Sequence, residues 1–265
     1  MTANVLTIAG FDPSGGAGML ADIKTFAALR CYGVAAVSAL TAQNTQGVRA
    51  LVPVPADFLA AQIDALFADI EIAAVKIGML GTRANIEIVA QMLAVYKPAH
   101  VVLDPVMHAS SGDTLATEEL ADALVRHLAP LVTLVTPNLA EAAQLAHAAV
   151  PTSIDEMHAL DAKLGHAGFK AVLVKGGHLD GAISADVLYD RGAFRVFAAP
   201  RVATKNAHGT GCTLSSAIAA GLANGRALPE AIEAAKAYLT QGLMGADQLD
   251  VGQGPGPLHH FRDLW

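Results

Sequence analysis

The sequence predicts an α/β fold: a doubly wound, mostly parallel sheet flanked by helices. Short β-branched runs alternate with longer Ala-rich stretches of helical size. The runs are apolar throughout, as in parallel strands buried on both faces, where a strand with one wet face would alternate. A hydrophobic content of 53% with only 5% aromatic residues implies a core of Ala, Val, Leu and Ile. At 265 residues the chain is long for one domain. Sheets of this kind nevertheless fold as single units, and no Pro/Ser-rich linker or charge block divides the sequence, so one domain over 1–265 is expected.

Taken in order, the expected strands are Val5 to Ile8, Val34 to Leu40, Val75 to Ile77, Val101 to Asp104, Leu131 to Thr136 and Ala171 to Lys175. Val187 to Tyr189 and Phe194 to Ala198 differ, because the turn-rich Asp190 to Ala193 between them is short enough for a hairpin. The chain then becomes helical again, and the Gly/Pro-rich Val251 to Pro257 reads as a closing segment on the surface. Ligands of such a sheet are expected at the carboxyl ends of its strands.

Composition excludes several classes. No apolar run reaches the roughly 18 to 20 residues of a membrane span, and Met1 to Ile8 lacks the basic and long apolar regions of a leader, so a cytoplasmic protein without membrane contact is expected. Cys31 and Cys212 cannot build a disulfide framework or a sulfur-based zinc site. A net charge of −7 without a basic run argues against nucleic acid. It does not argue against phosphate, which backbone amides at a helix start can hold.

The strongest local signal is His208-Gly209-Thr210-Gly211-Cys212-Thr213 followed by the small-residue stretch Leu214 to Ala220. A glycine turn opening a helix lets backbone amides and the helix dipole face an anion. The same residues would also suit a helix packed closely on a strand. A P-loop is excluded, since no second Gly is followed by Lys and Ser/Thr, and Lys175-Gly176-Gly177 reverses that order. A dinucleotide fingerprint fails as well, because Gly10, Gly15, Gly16 and Gly18 miss the required spacing and Asp12-Pro13 interrupts the turn.

Six further segments accompany that loop: Thr7 to Gly18, Ala39 to Thr45, Lys76 to Leu80, Leu103 to Met107, Thr136 to Glu141 and Val174 to His178. In this order they resemble the ribokinase-like kinases, most closely the branch that phosphorylates hydroxymethylpyrimidine and its monophosphate in thiamine biosynthesis. The resemblance implies the ribokinase-like three-layer fold, ATP and Mg²⁺ as cofactors, a monovalent cation as an open question, and a homodimer. It also implies roles. Asp104 and Glu141 would attend the metal, with Asn138 beside the nucleotide; the pair Asn138 and Glu141 equally suits a helix cap. Lys175 would neutralise phosphates, unless it is a surface lysine, and Lys236 would border the nucleotide.

Gln43 would read an aminopyrimidine edge, since an amide both donates and accepts. Met79 and Val106 would wall the ring, a placement that core packing would also explain. Gly10 and Asp12 would sit near the hydroxymethyl group, and for His208 beside its glycine turn bonding to backbone alone is the plainer alternative. Gly209, Thr210 and Gly211 would supply amides for the transferring phosphoryl. Most sugar kinases of this kind carry Asp after the Gly-x-Gly, whereas Cys212 stands here, which disfavours ribose or fructose. A helix N-terminus lowers a thiol's pKa, which would let Cys212 serve as base, but a phosphate nearby pushes that pKa back up, so its ionisation is left open; a small buried helix-start residue is the plainer alternative. The rivals are a pyridoxal kinase, whose substrate also carries methyl and hydroxymethyl groups, and a non-catalytic binding protein on the same fold.

Overall fold

The computed structural model describes residues 2–107 and 118–264. Nine strands form one sheet in the order β3-β2-β1-β4-β5-β6-β7-β8-β9. Its parallel centre runs from β2 (Tyr32–Asn44) through β1 (Asn4–Phe11), β4 (Ala74–Ile77), β5 (Val101–Leu103) and β6 (Leu134–Val135) to β7 (Ala171–Lys175). Antiparallel strands close both edges: β3 (Gly47–Pro53) on β2, and β8 (Ile183–Asp190) with β9 (Ala193–Pro200) beyond β7.

Side chains of successive residues leave a strand on opposite faces. Leu6, Ile8, Val172 and Val174 therefore enter one core, beneath α2 (Ala56–Asp69), α3 (Arg83–Tyr96), α4 (Glu118–Leu128), α5 (Leu139–Leu145) and α6 (Ile154–His166). Val5, Ala171 and Leu173 enter the other, beneath α1 (Gly18–Ala28), α7 (Thr210–Ala223) and α8 (Leu228–Met244). The doubly wound three-layer arrangement follows from that alternation.

Several strands depart from expectation. The strand expected over Leu131 to Thr136 contracts to Leu134–Val135, because Leu131 and Val132 donate their amides back to Leu128 and complete the turn that ends α4. In β2 the strand runs on past Leu40 to Asn44 and pairs with β3, which the sequence did not signal because Gly47–Pro53 has mixed, largely exposed positions. The hairpin strands are also longer than expected, and the turn between them is only Arg191-Gly192. Both of its residues have positive φ, 50° and 92°, matching the two-residue turn that suits the twist of a hairpin.

Candidate active site

The parallel strands end at one edge, and a cavity of about 1190 Å³ opens there. Gly10, Asp12, Gln43, Met79, Asp104, Val106, Asn138, Glu141, Lys175, Gly209, Thr210, Gly211, Cys212 and Lys236 all line it. The residues singled out in the sequence are thus brought together.

The cavity is organised around the start of α7. Gly209 precedes the helix with φ 79°, a left-handed conformation that favours glycine, and no side chain caps the first turn, so its amides remain available to an anion. The two glycine loops are packed backbone to backbone. A β-carbon on Gly16 would stand 2.4 Å from His208 Cδ2, and one on Gly18 would stand 2.4 Å from the Gly10 carbonyl oxygen. Asp12 locks the arrangement: its Oδ1 accepts from the amide and hydroxyl of Ser14, its Oδ2 from the Ala17 amide, and His208 Nε2 lies 2.8 Å from Oδ2. Burial raises the Asp12 pKa, but the hydrogen bonds from His208 and Ser14 outweigh it and leave it lowered. His208 therefore bonds a carboxylate and not merely backbone, so the plainer alternative for it does not hold.

Lys175 ends β7, and its Nζ lies 2.8 Å from Asp104 Oδ1 and 3.9 Å from Glu141 Oε2. It is no surface lysine, its side chain being only 13% exposed. Burial alone would discharge it; Asp104 and Glu141 outweigh that and raise its pKa. Asp104 directly follows β5 and is buried. Burial raises its pKa, yet Lys175 and Lys76 overcome this and hold it below the usual carboxylate range. Asn138 and Glu141 form a reciprocal cap on α5, with the Glu141 amide 2.9 Å from Asn138 Oδ1 and the Asn138 amide 2.7 Å from Glu141 Oε2. The capping role is thus realised, while Glu141 still reaches the cavity. Its burial pushes its pKa up to about 7 against the pull of Lys175.

Lys236 on α8 lies 2.6 Å from Asp186 Oδ2, and Asp186 Oδ1 accepts the Gly176 amide. The Thr41 hydroxyl donates to the Phe11 carbonyl at 2.9 Å and lies 3.2 Å from Gln43 Oε1. Met79 closes over Gly10, where a β-carbon would stand 2.5 Å from its Cε.

The ionisation of Cys212, left open by the sequence, is governed by burial, which pushes its thiol up to about 11, Lys76 opposing this while Asp104 and Asp22 add to it. Burial of the sulfur outweighs the uncapped helix start, although the residue is only half-buried at the cavity wall. The sequence reading also assigned no role to Lys76, Asp22 or Asp186. The available signal was Lys76 itself, a charged residue inside the otherwise apolar run from Val75 to Ile77.

With this geometry in place, the relatives can be compared. Residues 12–259 match the sequence model of the family described as phosphomethylpyrimidine kinase. The chain belongs to that family. A hydroxymethylpyrimidine/phosphomethylpyrimidine kinase of Rhizobium meliloti is 49% identical, over 100% of this chain and 99% of that protein. Among solved structures, a Clostridium difficile phosphomethylpyrimidine kinase is 40% identical and superposes with a TM-score of 0.80, covering 91% of this chain and 99% of that one. A Staphylococcus aureus pyridoxal kinase in complex with ADP reaches a TM-score of 0.92 at 33% identity, over 100% of this chain and 95% of its own. The fold is that of the ribokinase-like kinases.

Proposed function

We propose that this kinase transfers the γ-phosphoryl group of ATP to the hydroxymethyl oxygen of 4-amino-5-hydroxymethyl-2-methylpyrimidine, and then to the resulting monophosphate, in thiamine biosynthesis. The observation that carries this reading is the meeting of three features in one cavity: the uncapped start of α7 with Cys212, the Lys175–Asp104 pair, and the wall of Gln43, Met79 and Val106.

Phosphoryl transfer depends chiefly on positioning and charge stabilisation. The pyrimidine would lie against Met79 and Val106 with its amino edge at Gln43. Its hydroxyl would attack in line while the amides of Gly209 to Cys212 and the Lys175 ammonium stabilise charge on the equatorial oxygens. Cys212 would take the hydroxyl proton. Asp12 would act on the acceptor through the loop it holds, since both its oxygens are engaged internally. Lys236, kept in place by Asp186, would border the nucleotide.

The residues present suit magnesium in its hydrated form. Asp104 and Glu141 offer hard oxygen donors on either side of Lys175, and among the described residues no group of three His, Cys, Asp or Glu gathers that could cage an ion. Magnesium prefers to be held by one or two carboxylates, waters and nucleotide phosphates. When bound it would neutralise charge on the phosphates.

Among the described residues no helix is long and apolar enough to cross a membrane. A cytoplasmic homodimer fits the reading. Leu40 and Val52 face each other across β2 and β3, both at least half exposed, beside an exposed Phe58, and this edge would carry the subunit contact.

The test is product formation from ATP and magnesium with hydroxymethylpyrimidine, its monophosphate and pyridoxine in parallel. Diphosphate from the pyrimidine is the expected product. Preference for pyridoxine would replace the substrate, a reading favoured by the close superposition on the pyridoxal kinase. Transfer to none of the three would sink the kinase assignment.

A further inference from the structure

Cys212 and Ser216 are one helical turn apart on α7 and so share a face. Ser216 donates its hydroxyl to Asp22 Oδ1 at 2.7 Å, and Thr7 donates to Oδ2 at 2.6 Å. Lys76 Nζ lies 2.9 and 3.0 Å from the two carboxylate oxygens. All four side chains are fully buried, and Lys76 also lines the cavity. The glycine of Lys76-Ile77-Gly78 leaves room for this ammonium, since a β-carbon on Gly78 would stand 3.0 Å from Nζ.

A buried ion pair is a poor device for stability, because apolar residues of similar volume usually do as well. Its placement here points to another use. The charged groups acting on the thiol come from four elements: Lys76 on β4, Asp22 on α1, Asp104 after β5 and Lys175 on β7. Lys175 is committed to Asp104 at 2.8 Å. Lys76 is paired too, with Asp22, but of the two cations it opposes the rise of the thiol pKa most strongly and is the one to answer a negative charge on sulfur. Burial would discharge it, but Asp22, with Asp104 and the charge on sulfur behind it, outweighs burial and holds the ammonium charged.

We propose that Lys76 is the counter-cation of the Cys212 thiolate, and that Asp22 is a positioning residue that holds Lys76 in place and moderates the field it exerts on the sulfur. This rests on the reading of Cys212 as proton acceptor. In the first phosphorylation the thiolate takes the proton of the hydroxymethyl group as its oxygen bonds to the γ-phosphorus. The bond from that phosphorus to the bridging oxygen breaks, and ADP leaves with the electron pair. The thiol then returns its proton to solvent.

The deciding experiment follows alkylation of Cys212 by iodoacetamide against pH, resolved by site with mass spectrometry so that Cys31 does not contribute. It uses the full chain as wild type, Lys76→Met, Asp22→Asn and the double variant. The expected midpoint rises in Lys76→Met, by about tenfold in rate below the midpoint for each pKa unit. It falls in Asp22→Asn, where Asp104 and the thiolate itself still hold the ammonium charged and its competitor is gone. The double variant, with no uncompensated buried charge, keeps the result readable if Lys76→Met does not fold, and its midpoint lies above that of Asp22→Asn. The acid limb of the first-step pH–rate profile should move with each midpoint. Superimposed midpoints, or shifts of the same sign in the two single variants, would overturn the proposal. Superimposed midpoints in a chain that phosphorylates the pyrimidine would leave the acceptor reading intact. Opposite shifts in a chain that transfers nothing would sink that reading instead.

Discussion

A β-carbon on Gly209 would stand 1.9 Å from the carbonyl oxygen of Gly16, so the two glycine loops touch where no side chain can intervene. Gly209→Ala combines this collision with a positive φ that alanine adopts only at a cost of about 1–3 kcal/mol. The expected outcome is a loss of at least that stability by thermal or denaturant unfolding, together with a drop in kcat. The drop in kcat follows because the α7 amides would move away from the reacting phosphoryl.

Cys212→Ala should separate the two phosphorylations. The first acceptor is a hydroxyl that must lose its proton, and removing a general base costs typically about 10²–10⁴-fold. The second acceptor is a phosphate monoester, already largely ionised at neutral pH because its second pKa is about 6. Single-turnover rates measured on each acceptor should show the variant far slower on the hydroxyl than on the phosphate. Equal losses would remove Cys212 from the proton transfer.

Gln43→Leu should raise the KM for the pyrimidine by about tenfold or more while leaving the KM for ATP near its original value. A site built to hydrogen-bond a substrate discriminates strongly through that bond. The Thr41 hydroxyl ties β2 to the Phe11 carbonyl and lies 3.2 Å from Gln43 Oε1, so Thr41→Val should give a smaller change in the same direction. Steady-state kinetics varying each substrate in turn would check both.

Asp161 on α6 predicts a pH effect on stability. Both its carboxylate oxygens are buried without a hydrogen-bond partner in good geometry, and burial pushes its pKa up to about 9, the Val174 amide offsetting little of this. The unfolded chain would release that proton near the ordinary value of 3.8. The contribution of Asp161 is therefore full below that pH and is lost as pH climbs through about 9. Asp161→Asn cannot ionise. Its Tm should exceed that of the wild type by a margin that widens from acid toward alkaline pH, at about 2–4 °C for each kcal/mol.

The parallel centre of the sheet was legible because β1, β4, β5 and β7 are short, largely apolar runs with no polar alternation, Lys76 in β4 being the charged exception. β3 was not, since an edge strand pairs on one side only and Gly47–Pro53 carries no clear periodicity. The loop around Cys212 announced itself by its glycines, and every residue it was grouped with reached the same cavity. What the sequence could not supply was the environment of each group. The elevated thiol pKa depends on burial and on Lys76 and Asp22, which come from separate elements. The bond between His208 and Asp12 joins residues 196 positions apart.

The same cavity is also enclosed by a late segment. Gly254 donates its amide to Thr45 Oγ1, in the turn between β2 and β3, and the Gly256 carbonyl accepts the His208 amide. During synthesis, residues near position 10 leave the ribosome long before those near 256. The nascent chain must therefore carry its first glycine loop without its partners until nearly all of the sheet has formed. A deletion of residues 252–257 should therefore leave much of the fold but an incomplete acceptor pocket.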